Sequence, residues 1–409
     1  MKNKIQEYAK LLIEIGLNIK HGQFLLINSP IECAEFTRMC VTAAYDAGAK
    51  DVYVDWRDGY ISRERWLRAA DDVFETIPKW QIEKFNDYGN RCVARLSISA
   101  DDPELLKGVS PDRLLKYEKA SGKAFESYHT KLMNSEFTWC VASVPTIAWA
   151  KKVFPDCDDE FAVQKLWNAI LNTVRISGDG TAVEKWHNHC NFLEEKSKKL
   201  NELNFKSVHY TNSIGTDLVV ELPEGHIWMG GGEMSGNGIY FIANMPTEEI
   251  FTAPKRNGVN GKVVASKPLI ISGNLIENFY FILKDGKIVE IHAEKGEDIL
   301  RNSISVDEGA AFLGEIALVP YDSPISQSGI LFYNTLFDEN ASCHFAFGNA
   351  YPSCLKDGNN MTTEELLAHG INNSNNHVDF MVGTSDLKIT GVTHDDETVI
   401  VFDNGNFVI

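Results

Sequence analysis

The pattern of apolar residues changes near residue 205, and this change constrains the fold more than any other feature of the sequence. Before it, residues at helical spacing alternate with short apolar runs, as in the series Ile5, Tyr8, Leu12 and Ile15. Strands are predicted at 24–27, 51–55, 92–99 and 137–144, with helical stretches between them, one of which covers 31–47. This alternation is typical of an α/β domain with a mostly parallel sheet.

After residue 205 the chain is rich in short strand patterns and poor in helices. Strands are predicted at 207–210, 217–222, 262–272, 279–283 and 287–293, with turn signals such as Asp285-Gly286 between them. A chain of 409 residues is long enough for two or three domains. The sequence therefore predicts an N-terminal α/β domain over 1–205 and a β-rich α+β catalytic domain over 206–409.

Bulk properties restrict the classes of function. The formal net charge is −18, and because phosphate binding needs clustered Lys and Arg, no nucleic-acid partner is expected. No run approaches ~18 uninterrupted apolar residues, so no membrane span is expected, and the N-terminus lacks the apolar core of a signal peptide.

No G-x-G-x-x-G follows a strand, so nucleotide binding is not supported. The eight cysteines contain no C-x-x-C pair, which favours free thiols in a reducing cytoplasm.

Metal-capable side chains are densest late in the chain, at His377 and Asp379. If 377–383 is a strand, these two side chains point to the same face and can bind one cation together. The polar run Asn372-Asn373-Ser374-Asn375-Asn376 places the pair at a junction between loop and strand. Taken alone, a surface His-x-Asp is the commoner explanation of this pattern.

Four further residues or pairs have an ordinary explanation beside the functional one. His344 lies in an apolar strand pattern, where a core histidine donating to a carbonyl is common, and Tyr351 alone would be a packing residue. Glu315 lies in the apolar run 313–319, where an ionised carboxylate is costly unless it is paired or binds a metal. Its ordinary explanation is an edge strand that faces water. The pair Glu248 and Glu249 would ordinarily be a solvated turn.

With one glutamate of the Glu248-Glu249 pair counted, these residues provide three carboxylates, two imidazoles and a phenol within one predicted domain. Oxygen and imidazole ligands suit Zn²⁺, Co²⁺ or Mn²⁺. A bridging carboxylate can hold two such ions roughly 3.5–4 Å apart.

Four segments carry a family resemblance: PTEEIFTAP at 246–254, LGEIALVP at 313–320, ENASCHFAFGNAYPSC at 339–354 and NNSNNHVDFMVG at 372–383. They resemble, in the same order, the motifs of the thermophilic-type metallo-aminopeptidases, and the likeness covers essentially the whole chain. The resemblance implies two divalent metal ions, with the ligand set Glu249, Glu315, His344, Tyr351, His377 and Asp379. Within the Glu248-Glu249 pair, Glu249 is preferred as the ligand because it adjoins the Ile-Phe step of the motif.

The resemblance also implies a homodimer that removes residues one at a time from peptides with a free N-terminus, with broad specificity. The expected mechanism is metal-assisted hydrolysis, in which two cations share a water and lower its pKa while one of them polarises the scissile carbonyl. The free α-amine of the peptide would coordinate a metal or pair with a carboxylate. Glu315 is expected to bridge the two ions, and Glu248 or Glu249 is expected to relay the proton.

Two other classes of function stay open at the level of sequence. Some relatives of this fold resemble non-haem iron dioxygenases that act on hydroxylated pyridines through a mononuclear Glu/His/Asp site. The presence of Tyr351 and of both glutamates favours the two-metal hydrolase over that alternative. A non-catalytic binding protein with an acidic surface is supported only by the net charge.

Overall fold

The chain, described here by a computed structural model over residues 1–271 and 274–409, folds into two compact units. The first comprises Met1–His187 and Gly232–Pro246, and the second comprises Asn188–Gly231 and Thr247–Ile409. The first contains a parallel sheet and the second contains antiparallel sheets, so the predicted fold class is confirmed. The division into domains at residue 205 stays a prediction.

The sheet of the first unit has five strands, and all of its neighbours are parallel. In spatial order they are Asn244–Met245, Trp139–Ala142, Ala94–Ile98, Phe24–Pro30 and Asp51–Arg57. The strand Phe24–Pro30, which has a neighbour on each side, contains a continuous apolar run in which Leu25, Leu26 and Ile27 are fully buried, as expected for a parallel sheet covered on both faces. A two-stranded ribbon, Glu233–Met234 with Tyr240–Phe241, belongs to the same unit.

One helix of the first unit precedes the strands, and the others lie between them along the chain. They are Lys2–Leu11, Ala34–Asp46, Gly59–Arg68, Lys79–Asn90, Pro111–Ala124, Glu126–Met133, Ile147–Val153 and Asp159–Thr173. A longer helix, Ala182–Leu203, follows. The helix predicted at 31–47 begins as a 3-10 turn, Ile31–Cys33, and becomes α-helical only at Ala34. The first helix continues as a π-helical turn, Leu12–Gly16.

The second unit contains a five-stranded antiparallel sheet that carries the candidate metal ligands. Its order is His377–Met381, His344–Gly348, Leu313–Leu318, Ile250–Thr252 and Met229–Gly230. Every residue of Leu313–Leu318 is buried, and strands pair with it on both sides. Glu315 therefore does not lie on an edge strand that faces water.

A larger antiparallel sheet completes the second unit. Its path runs through Leu269–Ile271, Asn274–Lys284, Val259–Val264, Asp217–Glu221, Ser207–Thr211, Lys388–Val392, Thr398–Asp403 and Asn406–Phe407, and Lys287–Lys295 pairs with Asn274–Lys284. The single strand predicted at 262–272 is two strands, because Pro268 lies in the segment and cannot donate a backbone hydrogen bond. Its last predicted residue, Ser272, lies outside the described residues.

Short helices connect the strands of the second unit. They are Glu297–Ser303, Pro324–Ser328, Thr335–Asp338 and Thr363–Ala368. Among the residues that the structure describes, none of the helices is both long and apolar enough to cross a bilayer.

Candidate metal centre

Alternation along the strands of the five-stranded sheet separates its polar face from its apolar face. Successive side chains of a strand point to opposite faces. In the strand that ends at Met381, Phe380 packs on Phe281 with ring centroids 5.2 Å apart, so its neighbour Asp379 points the other way, as does His377. In the adjacent strand Phe345 belongs to the same core. His344 accordingly shares the polar face with Asp379.

The polar face brings five of the six predicted ligands into two overlapping groups of three. Glu249, Glu315 and His344 form one group, and their ligand atoms lie within 4.8 Å of one another. Glu315, His377 and Asp379 form the other, with the same spacing. The carboxylate of Glu315 belongs to both groups.

The distances within these groups are short. The Nε2 atom of His344 lies 3.3 Å from Oε2 of Glu249 and 3.7 Å from Oε1 of Glu315. The Nε2 atom of His377 lies 3.3 Å from Oε2 of Glu315 and 3.3 Å from Oδ1 of Asp379. The two oxygens of Glu315 thus face different imidazoles, an arrangement that suits a carboxylate between two cations.

Backbone carbonyls orient both imidazole rings. The Nδ1–H of His344 donates to the carbonyl of Ser342 at 3.1 Å, and that of His377 donates to the carbonyl of Asn349 at 2.8 Å. Donation from Nδ1 leaves Nε2 to face the carboxylates. Rings held in this way are typical of histidines that bind metals.

Burial and like charge create a strong demand for positive charge at this face. Burial raises the pKa of Glu249, and a hydrogen bond with His344 opposes that change. Burial also opposes ionisation of Glu315, but hydrogen bonds from His344 and His377 outweigh it and lower its pKa. In the two histidines burial is outweighed by hydrogen bonds with carboxylates, from Glu249 and Glu315 for His344 and from Asp379 and Glu315 for His377, and the pKa of each imidazole is raised. Divalent cations would supply the charge that imidazole protons supply here, so the donor set fits metal ions.

Tyr351, the sixth predicted ligand, lies at the margin of the same face. Its ring centroid is 5.4 Å from that of His377 and 5.9 Å from that of Phe251. Burial raises the pKa of the phenol, and the negative charges of Glu315 and Asp379 raise it further. A nearby cation would reverse the effect of those charges and favour the phenolate.

Glu339 is a residue that the sequence analysis missed. Burial raises its pKa well above the usual value, and the charges of Asp379 and Glu249 add to the effect. Glu339 is therefore a fourth carboxylate close to the two groups. Its signal in the sequence is its place at the start of the segment ENASCHF, five residues before His344.

The side chains of Glu248 and Glu249 lie in different surroundings although the two residues are adjacent. The Glu248 carboxylate, 2% exposed, lies 3.6 Å from Nε2 of His189, whereas Glu249 faces His344. The backbone N–H of Glu248 donates to Oδ1 of the fully buried Asn340 at 2.7 Å. Through the same side chain, Nδ2 of Asn340 donates to the carbonyl of Leu336 at 3.1 Å. Asn340 thus joins the segment that carries Glu249 to the turn that carries Glu339.

A buried sheet face that presents carboxylates and imidazoles in overlapping groups is the architecture of a metal-dependent protein. Comparison with known families gives the particular assignment. The chain belongs to the thermophilic metalloprotease family (M29), whose family model matches residues 1–407. The family resemblance found in the sequence is therefore confirmed.

Individual relatives cover nearly the whole chain. Aminopeptidase AmpS of Bacillus subtilis is 43% identical over 99% of this chain and 98% of its own length. The solved structure of AmpT from Thermus thermophilus covers 100% of both chains at 36% identity with a TM-score of 0.93. The structure of 2,5-dihydroxypyridine dioxygenase from Pseudomonas putida aligns over 99% of this chain and 96% of its own, with a TM-score of 0.56. Its identity is 11%, so this likeness concerns the fold alone.

Proposed function

We propose that this chain is a metal-dependent aminopeptidase with a dinuclear centre, which releases N-terminal residues from peptides with broad specificity. Membership of a metalloprotease family and near-full-length likeness to proteins named aminopeptidase support the reaction class. The observation that carries the dinuclear centre is the position of Glu315 in both groups of ligand atoms. We further propose that the protein is a cytoplasmic homodimer.

The proposed ligands are Glu249, Glu315, His344, Tyr351, His377 and Asp379, to which the structure adds Glu339 as a candidate. Zn²⁺, Co²⁺ and Mn²⁺ suit such oxygen and imidazole donors. Bound cations of this kind supply Lewis acidity at the scissile carbonyl and make the attacking water more acidic.

The residues of the chain divide the remaining tasks by their surroundings. The carboxylate of Glu315, placed between His344 and His377, is the proposed bridge. Glu248 remains the proposed proton relay. The Nε2–H of His189, which donates to the carbonyl of Thr247 at 2.7 Å, lies 3.6 Å from the Glu248 carboxylate. The carboxylates on the polar face attract the positively charged α-amine of a peptide, which accounts for the requirement for a free N-terminus.

The test begins with protein stripped of metal and reloaded separately with Co²⁺, Zn²⁺, Mn²⁺ and Fe²⁺. Bound metal is counted for each preparation, and activity is measured on aminoacyl-amides and short peptides. About two zinc-like ions per chain with peptide hydrolysis support the proposal. About one iron per chain and no hydrolysis would favour the dioxygenase class instead.

Peptides that differ only at the N-terminus test the exopeptidase assignment. An acetylated peptide should resist cleavage, because acetylation removes the positive charge that the polar face attracts. The same peptide with a free amine is the matched control. Equal hydrolysis of the two would show an endopeptidase or another hydrolase.

A further inference from the structure

A pocket of about 390 Å³ lies in the first unit, away from every residue assigned above. Helices Lys79–Asn90, Pro111–Ala124 and Glu126–Met133 form its walls, and Arg95 reaches it from the strand Ala94–Ile98. Small-molecule sites in proteins usually have volumes of roughly 300–1,000 Å³ and combine apolar walls with a few polar groups. This pocket meets both conditions.

The walls of the pocket are mainly aromatic. Phe85 contacts Phe125 and Tyr128, with ring centroids 5.0 Å and 5.2 Å apart. The indole of Trp80 also lines the pocket and is 62% exposed, although a large apolar ring in water is unfavourable. A flat aromatic ligand would stack against such rings and cover part of Trp80.

Arg95 supplies positive charge that no carboxylate in the described part of the chain neutralises. Its Nε donates to the neutral amide oxygen of Asn28 at 3.0 Å. Lys84, the other cation of the pocket, is paired with Asp55 at 2.5 Å. A guanidinium without an acidic partner is suited to bind a carboxylate or phosphate through two parallel hydrogen bonds.

The remaining polar groups of the pocket are neutral. Burial and the charge of Arg95 lower the pKa of His129, which disfavours the charged form of its imidazole. Burial raises the pKa of Tyr128, which keeps its phenol protonated. The net charge that a ligand meets in the pocket is therefore that of Arg95.

We propose that this pocket is a binding site for a small aromatic anion, a compound with one aromatic ring and one carboxylate or phosphate group. The rings of Phe85, Phe125 and Trp80 select the aromatic part, and Arg95 selects the anionic part. The proposal does not depend on the peptidase assignment, because none of these residues belongs to the candidate metal centre.

Calorimetric titration of the full-length, metal-loaded protein tests the proposal with three probes. Hydrocinnamate carries a carboxylate, phenyl phosphate carries a phosphate, and hydrocinnamamide has the shape of the first without its charge. At least one of the two anions should bind at about one per chain, and the amide should bind at least tenfold more weakly. The stronger of the two anions identifies the acidic group that the site prefers.

Two variants locate the binding. Arg95→Gln keeps a polar side chain that can still reach Asn28, and it should lower the affinity for the anion at least tenfold. Ser121→Phe places a ring inside the pocket without touching the charge, and it should also abolish binding. Arg91→Gln is the matched control, because Arg91 belongs to the same unit but pairs with Asp87 at 3.1 Å and does not line the pocket.

The outcomes separate clearly. Loss of binding in both pocket variants, with full binding in Arg91→Gln and unchanged melting temperatures, supports the site. Anion binding that survives in Arg95→Gln and Ser121→Phe lies elsewhere, for example at the metals, and overturns the proposal. Equal affinity for hydrocinnamate and hydrocinnamamide, or no binding of either anion, also overturns it.

Discussion

Replacing Glu315 by Gln should empty both of the proposed metal positions, whereas replacing His377 by Ala should empty only one. The difference follows from the two overlapping groups. Glu315→Gln removes an anionic donor from each group and leaves two ligands in both. His377→Ala leaves the group of Glu249, Glu315 and His344 complete.

The size of the effect can be bounded. Loss of a partner that merely hydrogen-bonds a metal ligand weakens metal binding about 10–100-fold. Loss of a charged ligand itself should therefore exceed about 100-fold at each position, or more than about 2.7 kcal/mol at about 1.36 kcal/mol per factor of ten. With metal supplied just above two equivalents, wild type should retain about two ions, His377→Ala about one, and Glu315→Gln close to none.

The assay is metal content per chain after equilibrium dialysis, measured by mass spectrometry, together with peptide hydrolysis. Glu308→Gln is the matched control, since Glu308 is an exposed glutamate of the same unit that pairs with Arg256 at 2.9 Å. It should retain both ions and full activity. The bridging role is refuted if Glu315→Gln retains one tightly bound ion while His377→Ala loses none.

Three other changes test separate parts of the structure. Tyr351→Phe should weaken the binding of one metal ion and lower activity at least ten-fold, about 1.4 kcal/mol. The melting temperature of the metal-free protein should change little. Superimposable metal titrations of wild type and Tyr351→Phe would exclude a ligand role. Asn340→Ala removes the acceptor of the Glu248 N–H and the donor to the Leu336 carbonyl. The free energy of unfolding measured in urea should therefore fall by about 1–3 kcal/mol. An unchanged urea midpoint would contradict this prediction. Burial raises the pKa of Glu233, so the folded protein binds a proton there more tightly than the unfolded chain. Proton binding at Glu233 therefore stabilises the fold at low pH. This contribution to the free energy of unfolding falls as the pH rises from about 4.5 through the raised pKa. Glu233→Gln should therefore raise the melting temperature at pH 7 relative to wild type but not at pH 4, and a uniform shift at both pH values would point to another cause.

The sequence was sufficient for the fold class because period-two and helical patterns are local properties. It also found five residues that the structure brings together on one sheet face, since their motifs retain the spacing along each strand. It could not show that Glu315 is central and buried, because the apolar run around it is compatible with either an edge or an interior strand. Glu339 was missed for a related reason. Its proximity to Asp379 and Glu249 depends on how a short turn packs, and this packing produces no periodic pattern in the sequence.

The last strand of the parallel sheet has a consequence for the order in which the protein can fold. Asn244–Met245 pairs with Trp139–Ala142 only after the chain has contributed Asn188–Gly231 to the second unit. During synthesis the first unit therefore waits, with an unpaired strand edge, until residue 246 has left the ribosome. A fragment that stops at residue 205 would keep that edge permanently open and be prone to aggregate. A single cut cannot yield the first unit intact, because its segment Gly232–Pro246 follows Asn188–Gly231 in the chain. A fragment of residues 188–409 would contain the whole second unit but would carry Gly232–Pro246 without the sheet to which it pairs.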